Sequence, residues 1–196
     1  MAALSSYLWI SSCFGASGTN ERLPITARIS SASGASSPPL LDLFEDRGVA
    51  CTWATVGFLF CADKDELIAS FPNVKPKYRE RRLLPYYDLA DLGRDEESDP
   101  YRYGLSLLKL IGARPRQEIA THTFSHFYCL ENGGDTEAFR ADLAAAQAAA
   151  SRRGIALTSI VFPRNQVSPQ HLRVCREAGL TAFRGNEACL VSCRAP

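Results

Sequence analysis

Apolar residues from position 40 onward alternate between helical spacing and short continuous runs. Helical spacing predicts helices over 40–47, 63–70, 101–111, 136–153 and 169–178. Runs of β-branched and aromatic residues predict strands within 49–60 (followed by a turn at Gly57), 117–121, 155–162 and 180–183. This alternation is typical of a parallel α/β sheet or barrel, in which functional groups lie at the carboxyl ends of strands.

Several predicted helices carry sequence features of helix ends. Asp63 and Ser168 are expected to be N-caps, with Pro169 in the first helical position after Ser168. Gly48 and Gly179 are expected to end helices in the left-handed conformation. These features fix where the elements begin and end.

Three segments differ from this regular pattern. Residues 72–100 contain four prolines and predict a long surface insertion with one helical turn, which would shape a substrate groove. Residues 1–39 hold ten serines and three charged residues, Glu21, Arg22 and Arg28, which predicts a head that is disordered or misjoined. This head and a short tail at 188–196 flank one predicted domain at 40–187.

The overall composition is that of an ordinary globular protein. The 196 residues are 46% hydrophobic and 22% charged, with a net charge of +1, so no basic field indicates nucleic acid or an anionic membrane surface. No Gly-rich phosphate loop and no apolar run of 18 residues occurs, which argues against nucleotide binding and a membrane span.

The cysteines and the N-terminal residues indicate the cellular compartment of the protein. Seven cysteines without a CxxC pair are typical of free thiols in a reducing cytosol, so we expect a cytoplasmic protein. Residues 1–18 have a short apolar stretch but lack the basic start of a signal peptide, which keeps secretion as the alternative.

Two of the three histidines provide the clearest chemical feature. His122 and His126 lie four residues apart, directly after the predicted strand 117–121. On one turn of helix, both imidazoles would point the same way, as two ligands of a divalent metal do. The alternative is a hydrogen-bonding role alone. His171 lies on a predicted surface helix and is expected to face solvent, whereas Trp53 is expected in the core rather than in a sugar groove.

The segment Glu118–His126, EIATHTFSH, resembles the second motif of the polysaccharide deacetylases, the NodB-homology family. In that motif a Glu-Ile pair precedes two histidines with Ser or Thr between them. The segments LLDLFEDRGVACTWATVG (40–57) and RVCREAGLTAFR (173–184) resemble other parts of the family's domain, and SIVFPRNQ (159–166) matches its third motif loosely.

The resemblance implies a distorted (β/α) barrel of the NodB-homology type and a hydrolase of carbon–nitrogen bonds other than peptide bonds. Its substrate would be an N- or O-acetylated glycan. It implies that His122 and His126 bind a divalent metal, usually zinc, which activates water. Arg164 would orient the catalytic base, and Pro163 and Asn165 would line the substrate groove.

The sequence also departs from the family pattern. The family's first motif supplies an Asp ligand and the general base, but Glu21 is the only acidic residue in 1–39, and no histidine follows His171 as general acid. Two interpretations remain: a degenerate homologue, or a partial domain whose head and tail are misjoined translation. The abrupt change in composition where the resemblance begins favours the second. Either way, we expect impaired activity.

Three functions are therefore compared. The leading one is a metal-dependent glycan deacetylase whose activity is impaired in this form. The alternatives are a catalytically inactive carbohydrate-binding homologue and a metal-dependent hydrolase of a small amide. A structural protein without a ligand is a further possibility.

Overall fold

The structure is a computed structural model that describes residues 8–11, 39–86, 89–90 and 92–185. It contains one five-stranded sheet in the order β1-β2-β3-β4-β5. The strands are β1 (Leu8–Ser11), β2 (Cys51–Thr55), β3 (Gln117–Thr121), β4 (Ser159–Val161) and β5 (Ala182–Arg184). β1 runs antiparallel to β2, whereas β2 to β5 are parallel. The protein is thus of the mixed α/β class with four parallel strands.

In the described residues, five helices alternate with these strands. They are α1 (Pro39–Asp46), α2 (Lys64–Ala69), α3 (Leu105–Gly112), α4 (Thr136–Ser151) and α5 (Pro169–Glu177). Short 3-10 turns occur at Gly57–Phe60, Arg81–Leu83 and Pro163–Asn165. The predicted order of helices and strands from residue 40 onward is confirmed.

Two strands begin later than the sequence predicted, for the same reason. The Ile155 amide donates to the Ala150 carbonyl, and the Leu180 amide donates to the Cys175 carbonyl. These bonds complete the C-terminal caps of α4 and α5, so residues 155 and 180 belong to helix ends rather than strands. β4 therefore begins at Ser159 and β5 at Ala182.

The helix caps agree with prediction except at one residue. The Asp63 carboxylate accepts the Glu66 amide at 2.8 Å, and Gly48 and Gly179 have φ values of +63° and +82°. Ser168 was expected to cap α5 in the same way as Asp63 caps α2. Its hydroxyl instead lies 2.7 Å from Nδ1 of His171, and the first turn of α5 has no side-chain cap.

The core is one continuous cluster of buried apolar side chains that is rich in aromatic rings. Trp53 is fully buried, as predicted, and its indole N–H donates to the Gln117 side chain at 2.9 Å. On α4, the ring of Phe139 packs against Phe127 and Phe162. Each such fully buried ring contributes about 2–3 kcal/mol of apolar transfer free energy, which fixes α4 against the loops that follow the strands.

Residues 72–100 are not the surface insertion that the sequence predicted. The segment does contain one helical turn, Arg81–Leu83, but Tyr78, Tyr86 and Leu92 are buried. The two tyrosines can be buried in an otherwise polar segment because their hydroxyls find partners while their rings cover apolar surface. The segment thus belongs partly to the core.

The register of the sheet places three strand ends at one edge. Thr55 pairs with Thr121, and Thr121 pairs with Ile160, so β2, β3 and β4 end nearly level. The loops that leave this carboxyl edge carry the histidine motif and the third motif. The ends of the parallel strands therefore bring together the residues that the sequence singled out.

Other predictions fall partly or wholly outside the described ranges. Apart from β1 and Pro39, the head 1–39 is not described, and neither is the tail 188–196. Among the described cysteines, Cys51, Cys61, Cys129 and Cys175 are buried and form no disulfide bond. Within the ranges that the structure describes, no helix combines the length and apolar character needed to cross a bilayer.

Candidate functional site

The two motif histidines lie in a loop, not on a helical turn as predicted. β3 ends at Thr121, and the chain then passes through left-handed conformations at Thr123 (φ 67°) and His126 (φ 60°). These angles are incompatible with a continuous α-helix. The expected convergence of the imidazoles nevertheless occurs, because the loop folds back on itself between them. The ring centroids of His122 and His126 lie 4.8 Å apart at an interplanar angle of 67°.

His122 is fixed by the strands on both sides of β3. Its amide donates to the Thr55 carbonyl of β2 at 2.8 Å, and its ring Nδ1 lies 2.7 Å from the Val161 carbonyl of β4. A carbonyl only accepts, so Nδ1 must carry the proton. In the neutral ring, Nε2 then keeps its lone pair, which is the tautomer that metal-binding histidines adopt when Nδ1 donates to a carbonyl.

Both imidazoles are neutral near pH 7. Burial lowers the pKa of His122 to about 4, and the hydrogen bond to Val161 opposes this only in part. The pKa of His126 is lowered to about 3, mainly by burial and in part by the neighbouring His122 and the Arg164 guanidinium. A neutral imidazole can donate its lone pair to a metal, whereas an imidazolium cannot.

Backbone strain is concentrated at this edge of the sheet. Among the described residues, five non-glycine residues have positive φ, and four of them lie in the loops after β3 and β4: Thr123, His126, Arg164 and Asn165. For the β-branched Thr123, the left-handed region is especially unfavourable. Such strain costs about 1–3 kcal/mol per residue and persists where the surroundings enforce it, typically at functional sites.

Arg164 contacts the Tyr128 ring, which in turn contacts His126. Its guanidinium carbon lies 4.5 Å above the centroid of Tyr128, whose ring lies 5.0 Å from that of His126. Arg164 is half exposed, and its Nη1 lies 3.6 Å from Oε1 of Glu131. The order Arg164, Tyr128, His126, His122 thus leads from solvent to the buried imidazole.

The other two residues of the third motif differ in exposure. Pro163 is buried at the start of the 3-10 turn, whereas Asn165 is exposed beside Arg164. The Asn165 amide donates to the Phe162 carbonyl at 3.0 Å, which tightens the turn. The turn therefore presents Arg164 and Asn165 at the surface and uses Pro163 as its support.

His171 does not face solvent, which corrects the sequence-based expectation. It is only 4% exposed, and its ring packs edge-on against Phe139 at a centroid distance of 4.8 Å. The contact arises because α5 packs on α4 through this face. His171 belongs to the core between the two helices.

The residues that support the histidine loop, defined as residues 122–128, were not predicted from the sequence. Asp142 of α4 is fully buried and accepts hydrogen bonds from Phe124, Ser125 and Tyr86. Burial, its largest influence, raises the pKa of this carboxyl to about 6. One signal was present in the sequence, since Asp142 follows Phe139 by three residues and immediately precedes Leu143, both on the apolar face of α4.

The donor atoms of the histidine pair fit part of a divalent metal site. Two neutral imidazoles are ligands that zinc accepts, and a hydrolytic zinc site normally uses three protein ligands and a water. In the part of the chain that the structure describes, no group of three His, Cys, Asp or Glu side chains is arranged to hold a metal. His122 and His126 thus account for two ligands of such a site.

No family model, curated protein or solved structure matches the chain.

Proposed function

We propose that this protein is a metal-dependent hydrolase of the polysaccharide deacetylase type and that its parallel strands belong to a distorted (β/α) barrel of the NodB-homology type. One observation carries the proposal: His122 and His126 meet ring to ring at the carboxyl edge of the parallel sheet, and both are neutral near pH 7. Parallel α/β folds place their reactive groups at this edge.

His122 and His126 would hold a divalent metal, zinc by the resemblance. Such a metal, when bound, polarises an acyl carbonyl and lowers the pKa of water. The protein's own contribution is orientation, because the Val161 carbonyl holds the His122 ring in one tautomer and one rotation. Hydrogen bonds to the outer nitrogen of a ligating histidine also raise its basicity, which favours metal binding.

The substrate side of the site would be the surface around Arg164. An acetylated glycan offers hydroxyl and amide groups, which match the exposed Arg164 and Asn165 and the partly exposed Tyr128. Hydrolysis of an N-acetyl group would release acetate and leave a free amine. The Arg164 charge beside Tyr128 provides a fixed donor at the rim of the histidine pair.

Two histidine ligands give weaker metal binding than a complete site, and the sequence shows no acidic first motif. We therefore expect this chain to bind divalent metal detectably and to release acetate slowly or not at all. The proposal thus rests first on metal binding by the histidine pair.

Titration with Co²⁺, followed by its visible absorption and by calorimetry, tests the metal site. The parent protein is expected to bind one Co²⁺ competitively with Zn²⁺. His122→Ala and His126→Ala are each expected to weaken binding by at least about tenfold, because each removes a direct ligand.

His171→Gln is the matched control, since it removes the remaining histidine, which lies between α4 and α5. It should bind Co²⁺ as the parent does. Equal affinity of all four proteins, or no Co²⁺ binding by the parent, would contradict the proposed metal site. Acetate release from N-acetylated oligosaccharides, lost on chelation, would extend the result from metal binding to deacetylation.

A further inference from the structure

The carboxylate of Asp142 lies in an unusual place for a charge. It projects from the apolar face of α4, between Phe139 and Leu143 in sequence, and is fully buried. Burial of an unpaired carboxylate costs several kcal/mol, so such a group is stable only when hydrogen-bond donors surround it. The hydrogen-bond donors around Asp142 therefore identify the segments that it holds in place.

Three of its donors come from the loop between the two histidines. The Phe124 amide donates to Oδ1 at 2.6 Å, the Ser125 amide donates to Oδ2 at 3.2 Å, and the Ser125 hydroxyl also donates to Oδ2. Hydrogen bonds to an ionised acceptor are about twice as strong as neutral ones. The middle of the histidine loop is thus attached to α4 at consecutive residues.

The remaining donor comes from the segment 72–100. The Tyr86 hydroxyl donates to Oδ2 of Asp142 at 3.1 Å, and the Tyr86 ring packs edge-on against Phe71. Phe71 in turn packs against Phe124. Tyr86 therefore contacts the histidine loop both through Asp142 and through an aromatic cluster.

A second tyrosine of the same segment holds the other side of His126. The Tyr78 hydroxyl accepts the Tyr128 amide at 2.8 Å and donates to the Tyr128 carbonyl at 3.2 Å. Residues 124–125 and residue 128 are therefore both fixed, and His126 lies between them. This explains how the loop can hold left-handed angles at Thr123 and His126.

We propose that Asp142, Tyr86 and Tyr78 are positioning residues that set the relative orientation of His122 and His126. The proposal rests on the proposed function, because orientation matters most when both imidazoles bind one metal. It assigns residues 72–100 a role in the site: two of their hydroxyls clamp the histidine loop. Misplacement of a ligand by its supporting groups typically costs 10–100-fold in metal affinity.

Tyr86→Phe and Tyr78→Phe test the proposal, because each removes one hydroxyl and keeps the ring. Each variant is expected to bind Co²⁺ about tenfold more weakly than the parent, and the double variant more weakly still. Asp142→Asn provides a further test, since an amide supplies only one acceptor oxygen for the two loop amides.

Tyr103→Phe is the matched control. Tyr103 is fully buried and donates to the Gly93 carbonyl at 3.0 Å, which lies outside the histidine loop. It should lower the unfolding temperature about as much as Tyr86→Phe while leaving Co²⁺ affinity unchanged. Equal Co²⁺ affinities of Tyr86→Phe, Tyr78→Phe and Tyr103→Phe would mean that the tyrosines stabilise the fold only, and would overturn the proposal.

Ring resonances of His122 and His126, recorded by NMR on metal-free protein, separate this proposal from the proposed function. The resonances should move in Tyr86→Phe and Tyr78→Phe and stay in place in Tyr103→Phe. If the parent bound no Co²⁺ while the resonances responded in this way, the positioning role would stand without the metal function. Unmoved resonances in all three variants would overturn the positioning role, even if the parent bound Co²⁺.

Discussion

In metal-free protein, acidification is expected to destabilise the parent chain more than a His122→Asn variant. The pKa of His122 is about 4 in the folded protein, against an ordinary value near 6.5, so the unfolded chain binds more protons between these values. The stability due to the neutral ring is thus present above pH 6.5 and lost as pH falls toward 4. The difference amounts to about 2 kcal/mol at pH 5 and about 3 kcal/mol at pH 4.

Other buried groups also respond to pH, in known directions. His126 acts in the same direction as His122, because its pKa is about 3. Removal of His122 takes away one cause of that lowering, which flattens the variant's pH profile further. Asp142 acts in the opposite direction, because its pKa is raised to about 6: its contribution is present at acid pH and is lost as pH rises through 6. Asp142 remains in both proteins and largely cancels from the comparison.

Urea unfolding at pH 4, 5, 6 and 7 with a chelator measures this difference. Asn is the chosen replacement because its side-chain amide can donate to the Val161 carbonyl in place of Nδ1. Tyr103→Phe, which removes no group that titrates in this range, should give a profile parallel to that of the parent. If His122→Asn also ran parallel to the parent, His122 would not be held neutral by burial.

The fold was predictable from the sequence wherever its signals were local. Asp63 as a cap, the glycines at 48 and 179 and the apolar spacing of α4 are properties of short segments, and the structure confirms the corresponding elements. Prediction failed where a residue could serve either of two neighbouring elements. Ile155 is apolar and β-branched, yet its amide completes the cap of α4, so β4 starts four residues later.

The candidate site was predictable in composition but not in geometry. The spacing of His122 and His126 indicated convergence, which the structure confirms, but it suggested a helical turn. The left-handed angle at Thr123 could not be predicted locally, because contacts from distant residues enforce it. The Gly57 amide donates to the Thr123 carbonyl at 3.0 Å, and Asp142 binds the next two amides.

Asp142 itself illustrates a second limit of sequence interpretation. An acidic residue in an alanine-rich helix normally lies on the solvated face, and Asp142 was not singled out. Its partners come from residues 86, 124 and 125, which are far from it in sequence. The apolar spacing around Asp142 indicates a buried face of α4, but only the fold shows which donors its carboxylate binds.

Gly57→Ala is expected to destabilise the protein by about 3 kcal/mol, at the upper end of the usual cost of overpacking, and to weaken Co²⁺ binding as well. A Cβ at this position would lie 2.7 Å from Cα and 2.2 Å from Cδ2 of Phe124. Phe124 is fully buried and its amide is bound to Asp142, so it cannot move aside without breaking that bond. The added methyl group would therefore displace the backbone of the histidine loop at Phe124.

Gly112→Ala is the control for Gly57→Ala, because its Cβ would meet only Cδ1 of Ile119, at 3.9 Å. It replaces the glycine at the last position of α3 with a better helix former, so stability should stay unchanged or rise by up to about 1 kcal/mol. Adding Phe124→Leu to Gly57→Ala should restore only part of the loss, because the contact with the Phe124 backbone remains. Urea unfolding and Co²⁺ titration of all three variants measure both effects. Full recovery in the double variant would show that the Phe124 ring alone, and not the position of the loop backbone, requires glycine at residue 57.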